Sequence, residues 1–332
     1  MSAGSSQLRQ NQPEWLPPML ATLTEPRALP EGWVYEPKLD GWRCLAFVRD
    51  GEVKLFSRNR KPLNESYPGI AEALASRARG DMVLDGEIIA MDGERGVSSF
   101  SLLQRRMQSS SVQLWLFDCL FYEGRDLTRL PLGDRKALLK DVVQFGGPIK
   151  FTPALNGSFA ALYRDACRRG GEGLIAKRAG SRYTAGRSGD WVKLKCVNTQ
   201  ELVIGGWTEP QGSRTGLGAL LVGHYDGDGT LHYAGKVGTG FDQRTLEDLA
   251  RRLGRIERQR SPFGAGVVPT RGSLHWVAPT LIAQIGFAEW TPDGMLRHPR
   301  FPGLRDDKAP REVVRERRAT AVVTSRRTRS VR

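Results

Sequence analysis

Lys38 stands in the run Glu36-Pro37-Lys38-Leu39-Asp40-Gly41-Trp42-Arg43, between two apolar stretches of strand type, residues 34–36 and 44–49. No other feature constrains the chain as much. The carboxylate two residues on and the glycine turn behind it fix the direction in which the amine points. K-x-D-G alone recurs by chance in roughly one chain in ten of this length at average residue usage. The weight therefore falls on the residues downstream of it.

Downstream lies an ordered series of strand-like blocks, each carrying charge. Ser57-Arg58-Asn59 puts an arginine at a strand end. Leu84-Asp85-Gly86-Glu87-Ile88 sets an acidic pair between apolar residues. Trp115-Leu116-Phe117-Asp118 joins an aromatic ring and a carboxylate on one strand. Glu172-Gly173-Leu174-Ile175-Ala176-Lys177 comes next. Trp191-Val192-Lys193-Leu194-Lys195 closes the series with two lysines two residues apart, hence on one face of a strand. Taken singly, each block reads as a solvated face or an ordinary core position. Their order is what removes coincidence.

Apolar periodicity predicts further strands at 53–57, 82–90, 112–121, 174–178 and 191–195, with Asp50-Gly51 as the hairpin turn after 44–49. Helical patterns at 70–79, 133–143 and 159–169 fill the gaps. The first part of the chain thus reads as an α+β domain around antiparallel sheets. Composition shifts near 197–200. Beyond it, strands at 202–207, 218–225, 231–237, 274–277 and 282–289 surround one helix at 242–253, where Leu246, Leu249 and Leu253 share a face and Asp242 can cap. Five strands and an interposed helix fit a small closed Greek-key barrel, the OB-fold. The organisation expected is a disordered N-terminus (1–18), an α+β domain (19–196), a hinge (197–200), a barrel (201–313) and a basic tail (314–332).

Fifty Lys and Arg against 36 Asp and Glu give a net charge of +14, which argues for a polyanionic partner, nucleic acid before a membrane surface. Residues 311–332 hold eight arginines and two glutamates, too polar for a core of their own, and most of this segment is expected to be mobile and to touch phosphates. The first residues lack an apolar signal region, and no stretch approaches the ~20 apolar residues of a membrane span. The expectation is a cytoplasmic, nucleoid-associated monomer. Cys44, Cys119, Cys167 and Cys196 form no C-x-x-C pair and read as reduced structural thiols. The glycines of 235–240 do not make a Walker phosphate loop, and Asp226-Gly227-Asp228-Gly229 is a turn lacking the glutamate of a calcium loop. His224 and His232 read as neighbours across a hairpin rather than zinc ligands.

With its blocks in this order the sequence resembles the covalent nucleotidyltransferases: ATP-dependent DNA ligases, RNA ligases and mRNA capping enzymes. The second part narrows the likeness. Gly212-Ser213-Arg214, Ala219-Leu220-Leu221-Val222-Gly223, Gly235-Lys236-Val237-Gly238-Thr239-Gly240-Phe241 and Arg297-His298-Pro299-Arg300-Phe301 are similar to the ligase domain of bacterial ligase D. So is Arg305-Asp306-Asp307-Lys308, an R-x-D-K block. Nothing resembles the polymerase and phosphoesterase domains often fused to it, or the extra N-terminal DNA-binding domain of eukaryotic and archaeal ligases.

The resemblance implies that Lys38 is the nucleophile that takes AMP from ATP. It puts Glu36 at the amino edge of adenine, Phe117 stacked on the base, and Arg43, Arg58 and Arg187 on the nucleotide. Glu172 and Glu87 would be oxygen ligands of Mg²⁺ or Mn²⁺, with Glu87 alternatively on the ribose hydroxyl. Lys193, Lys195 and the metal would neutralise phosphates and lower the pKa of Lys38. Arg305 and Lys308 would close on the departing pyrophosphate. The implied activity is sealing of nicked or broken duplex DNA through lysyl-AMP and DNA-adenylate, in repair such as non-homologous end joining. Implied partners are the end-binding protein Ku and a separately encoded end-processing polymerase. The alternatives are an RNA ligase or capping-type enzyme, and a basic OB-type DNA-binding protein without catalysis.

Overall fold

Asp50 and Gly51 both adopt positive φ, 50° and 80°, the turn that joins Trp42–Arg49 to Glu52–Ser57 as a tight hairpin. In the computed structural model, which describes residues 10–94, 96–105, 112–196, 198–210, 216–268 and 273–316, this hairpin starts a seven-stranded sheet. Its order is Glu52–Ser57, Trp42–Arg49, Met82–Asp92, Val112–Tyr122 and Arg125–Asp126. Val97–Ser98 pairs with Met82–Asp92, and Ile149–Phe151 lies parallel to Val112–Tyr122. Both faces are covered. Cys44, Ala46, Val48 and Leu84 pack with Ile70, Leu74, Leu139 and Val142 of the helices Pro68–Ala75 and Leu132–Val142. Leu45, Phe47, Val83 and Phe117 face the other way and meet Met19 and Trp191. Burial on two faces is why these strands read as continuous apolar runs.

Met19 and Trp191 belong to a four-stranded sheet ordered Met19–Leu23, Gly186–Lys195, Gly173–Arg178 and Trp33–Pro37. On one face Leu174, Ala176, Val192 and Leu194 pack against Phe159 and Leu162 of the helix Phe159–Arg168. Alternation turns Ile175, Lys177, Lys193 and Lys195 to the opposite face.

The third sheet runs Leu231–Val237, Ala219–Tyr225, Asn198–Thr208, Leu274–Val277 and Glu257–Arg258, while Ile282–Phe287 pairs with both Asn198–Thr208 and Arg300–Arg305. It curls around Leu246, Leu249 and Leu253 of the helix Gln243–Gly254, which Asp242 caps by accepting from the Thr245 amide at 2.8 Å. The expected α+β architecture with an OB-fold is therefore present. The barrel's ladder stops short of closure among the described residues: the Phe301 amide reaches the Thr239 carbonyl at 2.9 Å where a full strand pair would stand.

Several expectations need correction. Residues 10–18 are packed: Trp15 stacks on Phe47 (6.3 Å between centroids), and the Gln12 amide donates to the Met82 carbonyl at 3.1 Å. Two apolar side chains, Trp15 and Leu16, outweigh the polar composition around them. Residues 198–200, expected as hinge, already lie in a strand, with Asn198 opposite Phe287 and Gln200 opposite Ile285. Cys167 and Cys196 form a disulfide, since the end of a helix and the end of a strand bring their Cα atoms to 5.2 Å; Cys44 and Cys119 are free and buried. Strands Met19–Leu23 and Arg300–Arg305 were not predicted. The tail is docked as far as Glu316, with Val313 buried. The block Gly212-Ser213-Arg214, the residue Val197 and the tail beyond Glu316 lie outside the described residues. No helix among those described is long and apolar enough to cross a membrane.

Candidate active site

The turn at Gly41 sets the site. A Cβ there would lie 2.1 Å from the Ile88 carbonyl oxygen, so only glycine lets this segment lie against Met82–Asp92. The close approach brings Lys38 beside Glu87. Lys38 comes directly after Trp33–Pro37, and its amide donates to the Gly173 carbonyl at 2.9 Å, which aligns it with the strand beginning after Glu172. From three sheets, one cleft then gathers Lys38, Asp40, Glu87, Glu172, Lys193, Lys195, Glu201, Gln284, Arg305 and Glu316.

Lys38 is ion-paired with Glu172, whose other oxygen accepts from the Thr199 hydroxyl at 2.7 Å. Burial alone would lower the lysine's pKa, but Glu172, Asp40 and Glu87 outweigh it and hold it above the ordinary lysine value. Lys193 and Lys195, expected with the metal to lower it, are themselves engaged by Glu316, at 2.5 and 3.2 Å. Burial also pushes Glu87 up to about 7, against the pull of Arg43, Arg305 and Lys38. Asp40 is fixed by the Phe100 amide (3.0 Å) and, from the barrel, by the Gln284 side chain (3.2 Å).

Other expected nucleotide contacts are engaged within the protein. Glu36 is 2 % exposed, with one carboxylate oxygen on Lys136 (2.5 Å) and the other on Lys177 (2.6 Å). Arg43 is bidentate to Asp85, both distances 2.5 Å, and Tyr183 donates to the same carboxylate at 2.6 Å. The Phe117 ring lies in the core, with Arg43 and Lys177 over it at 4.8 and 4.1 Å. Arg58 is half-buried among the charges of Glu201, Glu312 and Asp307, and burial lowers its pKa. Arg187 is exposed and donates to the Ala21 carbonyl at 3.1 Å. Arg305 reaches the cleft, held by Asp307 (2.9 and 2.8 Å) and Gln284 (2.9 Å), whereas Lys308 pairs with Glu201 at 2.9 Å.

Sequence reasoning missed Thr199, Gln284, Glu201, Lys136 and Glu316. The first three lie on strands with no distinguishing local pattern. Glu316 had one signal, being one of two opposite charges, with Glu312, in an arginine-rich run.

Residues 18–195 match the family model of the ATP dependent DNA ligase domain, and residues 213–308 that of the ATP dependent DNA ligase C terminal region. The chain is 40% identical over 325 residues to the "Multifunctional non-homologous end joining protein LigD" of Pseudomonas aeruginosa, covering 95% of this chain and 38% of that protein. It is 40% identical over 306 residues to the "Multifunctional non-homologous end joining DNA repair protein LigD" of Mycobacterium tuberculosis, covering 91% of this chain and 40% of that one. It therefore spans about two fifths of the length of these relatives. Among solved structures it is similar to "mycobacterial DNA ligase D complexed with ATP and MES", with a TM-score of 0.67 and 38% identity over 91% of this chain and 98% of that chain.

Proposed function

The chain belongs to the ATP-dependent DNA ligase family, and we propose that it seals breaks in duplex DNA by way of AMP carried on Lys38. In the first step a bond forms between Nζ of Lys38 and the α-phosphorus of ATP, the bond to pyrophosphate breaks, and the amine gives up a proton. AMP then passes to the 5′-phosphate of the break. The 3′-hydroxyl attacks that phosphate, expels AMP and leaves a phosphodiester. The observation that carries this reading is the convergence of Lys38, Glu87, Glu172, Lys193, Lys195 and Arg305 on one cleft.

Paired with Glu172, Lys38 is protonated and not yet a nucleophile. Whatever draws Glu172 away removes the main charge that keeps the proton on Nζ. Lys193 and Lys195, side by side on one strand face, suit a polyphosphate once Glu316 is displaced. Arg305 stands where positive charge would steady a departing pyrophosphate. Mg²⁺ or Mn²⁺ fits the donors present: Glu87 and Glu172 are hard oxygen ligands on the same cleft, and Mg²⁺ takes one or two carboxylates, completing its shell with phosphate and water. Glu87 and Glu172 would hold the ion, which would supply positive charge to the phosphates, and holding it would draw Glu172 from Lys38.

The relatives' naming as end-joining proteins supports break repair as the setting, with Ku and an end-processing polymerase as partners. Incubation with α-labelled ATP followed by nicked duplex tests the chemistry. Label should bind the chain covalently and move to the DNA 5′-phosphate. A chain that binds DNA but takes no label is the non-catalytic OB-type protein. Equal transfer to nicked RNA would favour the RNA ligase alternative.

A further inference from the structure

The cations around the cleft are held by carboxylates of the same chain. Lys38 pairs with Glu172, Arg305 with Asp307, Lys308 with Glu201, and both Lys193 and Lys195 with Glu316. The first three carboxylates lie on a strand, at a strand's start or in the R-x-D-K block. Glu316 is different, because it arrives from the segment beyond the barrel and enters the cleft from outside it.

That segment is anchored just before Glu316. Val313 is 2 % exposed among Val203, Tyr225, Leu231 and Ile282. The Tyr225 amide donates to the Val313 carbonyl at 2.8 Å, and the Gln200 side chain donates to the Val314 carbonyl at 3.0 Å. The Glu316 amide in turn donates to the Gln200 side-chain oxygen at 3.1 Å. A carboxylate two residues past these contacts is delivered to the lysines at high local concentration. Its two oxygens span both amines, as two oxygens of a phosphate chain would. Burial would raise the Glu316 carboxyl, yet Lys193 and Lys195 outweigh it and hold it at about 2, so it is ionised across the working pH range.

We propose that Glu316 occupies the seat of the nucleotide's phosphates on Lys193 and Lys195, so that it acts as an internal competitor which must swing out before AMP is loaded. The proposal rests on the ligase reading for the identity of the ligand, but not for the competition itself. Val313 and Val314 can stay docked while Glu316 leaves: among the described residues Glu316 itself is held by two ion pairs and one amide hydrogen bond, and the Arg315 guanidinium before it lies 4.4 Å over the Trp290 ring. When a site is mostly filled by its own chain, apparent affinity falls by the fraction left open. A site open about one time in three to ten would bind phosphate about three- to tenfold more weakly than the unplugged site.

The test uses the full chain, wild type against Glu316→Gln, with Glu316→Asp as the charge-conserving variant and Glu52→Gln as a control that removes an exposed charge of the same sign. Binding of inorganic tripolyphosphate without metal is measured by titration calorimetry, and AMP loading is measured against ATP concentration. Glu316→Gln should bind tripolyphosphate about three- to tenfold more tightly and lower the KM for ATP similarly, with little change in kcat. Glu316→Asp should fall between it and wild type, and Glu52→Gln should match wild type. Unchanged or weaker tripolyphosphate binding in Glu316→Gln, or an equal gain in Glu52→Gln, overturns the proposal. Tighter tripolyphosphate binding in a chain that loads no AMP supports the plug and overturns the ligase reading instead.

Discussion

Replacing Arg135 by Met should cost the protein about 3–5 kcal/mol, because it strands a carboxylate in the core. Arg135 and Asp118 have fully buried side chains, joined through Nε and a terminal nitrogen at 2.7 and 2.9 Å. The second terminal nitrogen serves the Leu130 and Ser181 carbonyls at 2.5 and 2.9 Å. The pair thereby ties the helix Leu132–Val142 to the strand that carries Phe117. After the substitution Asp118 keeps the Cys119 amide at 3.0 Å as a donor and loses its paired guanidinium, leaving the more distant pull of Lys177. Burial already raises its carboxyl against the pull of Arg135, and without the arginine it rises further. The folded chain then binds more protons than the unfolded one above the unfolded value of about 3.9, so the variant's stability falls as pH rises through this window. The penalty should be small near pH 4 and complete above the folded pKa. Converted for a folding unit of this size, the loss at neutral pH is about 6–20 °C in Tm, readable by calorimetry. The paired change Asp118→Leu with Arg135→Met should recover most of it, since no lone charge remains. A single substitution costing under about 1 kcal/mol, or a double one as costly as the sum of both singles, would refute the reasoning.

Lys38→Ala should abolish AMP loading yet still seal a nick that already carries AMP on its 5′-phosphate, because in the proposed reaction the amine would act as nucleophile only in the first step; unchanged labelling by α-labelled ATP would unseat Lys38. Arg305→Ala should slow AMP loading about 10²-fold, as loss of one well-placed charge on a leaving group does, checked by single-turnover labelling. Cys196→Ser should lower stability by about 3–4 kcal/mol through loss of a cross-link between residues 29 apart. Denaturant titration with and without reductant reads that effect, and a midpoint insensitive to both is the contrary result.

Much of this architecture was legible in the chain. Leu45 and Phe47 alternate with Cys44 and Ala46 because a strand turns successive side chains to opposite faces, and both faces are apolar here. Asp242 announced its helix, and Asp50-Gly51 its hairpin, because caps and turns are chemistry within four residues. Lys38, Glu87, Glu172, Lys193, Lys195 and Arg305 were likewise named from short motifs, and the folded chain does gather them. Their charge partners were not legible. Glu36 is met by Lys136, 100 residues on, and Lys193 by Glu316, 123 residues on. Cys167 found Cys196 without any spacing signal. Local pattern determines which segment becomes a strand and which side chain it presents, since those depend on neighbours along the chain. Coulomb attraction and cross-linking depend on distance through space, and that distance exists only once three sheets have set their registers against one another. The sequence therefore determined those six groups of the site, but not Thr199, Glu201, Gln284 or Glu316. The tertiary structure decided that Glu172 pairs with Lys38, that two lysines hold Glu36, and that the chain's own Glu316 sits on Lys193 and Lys195.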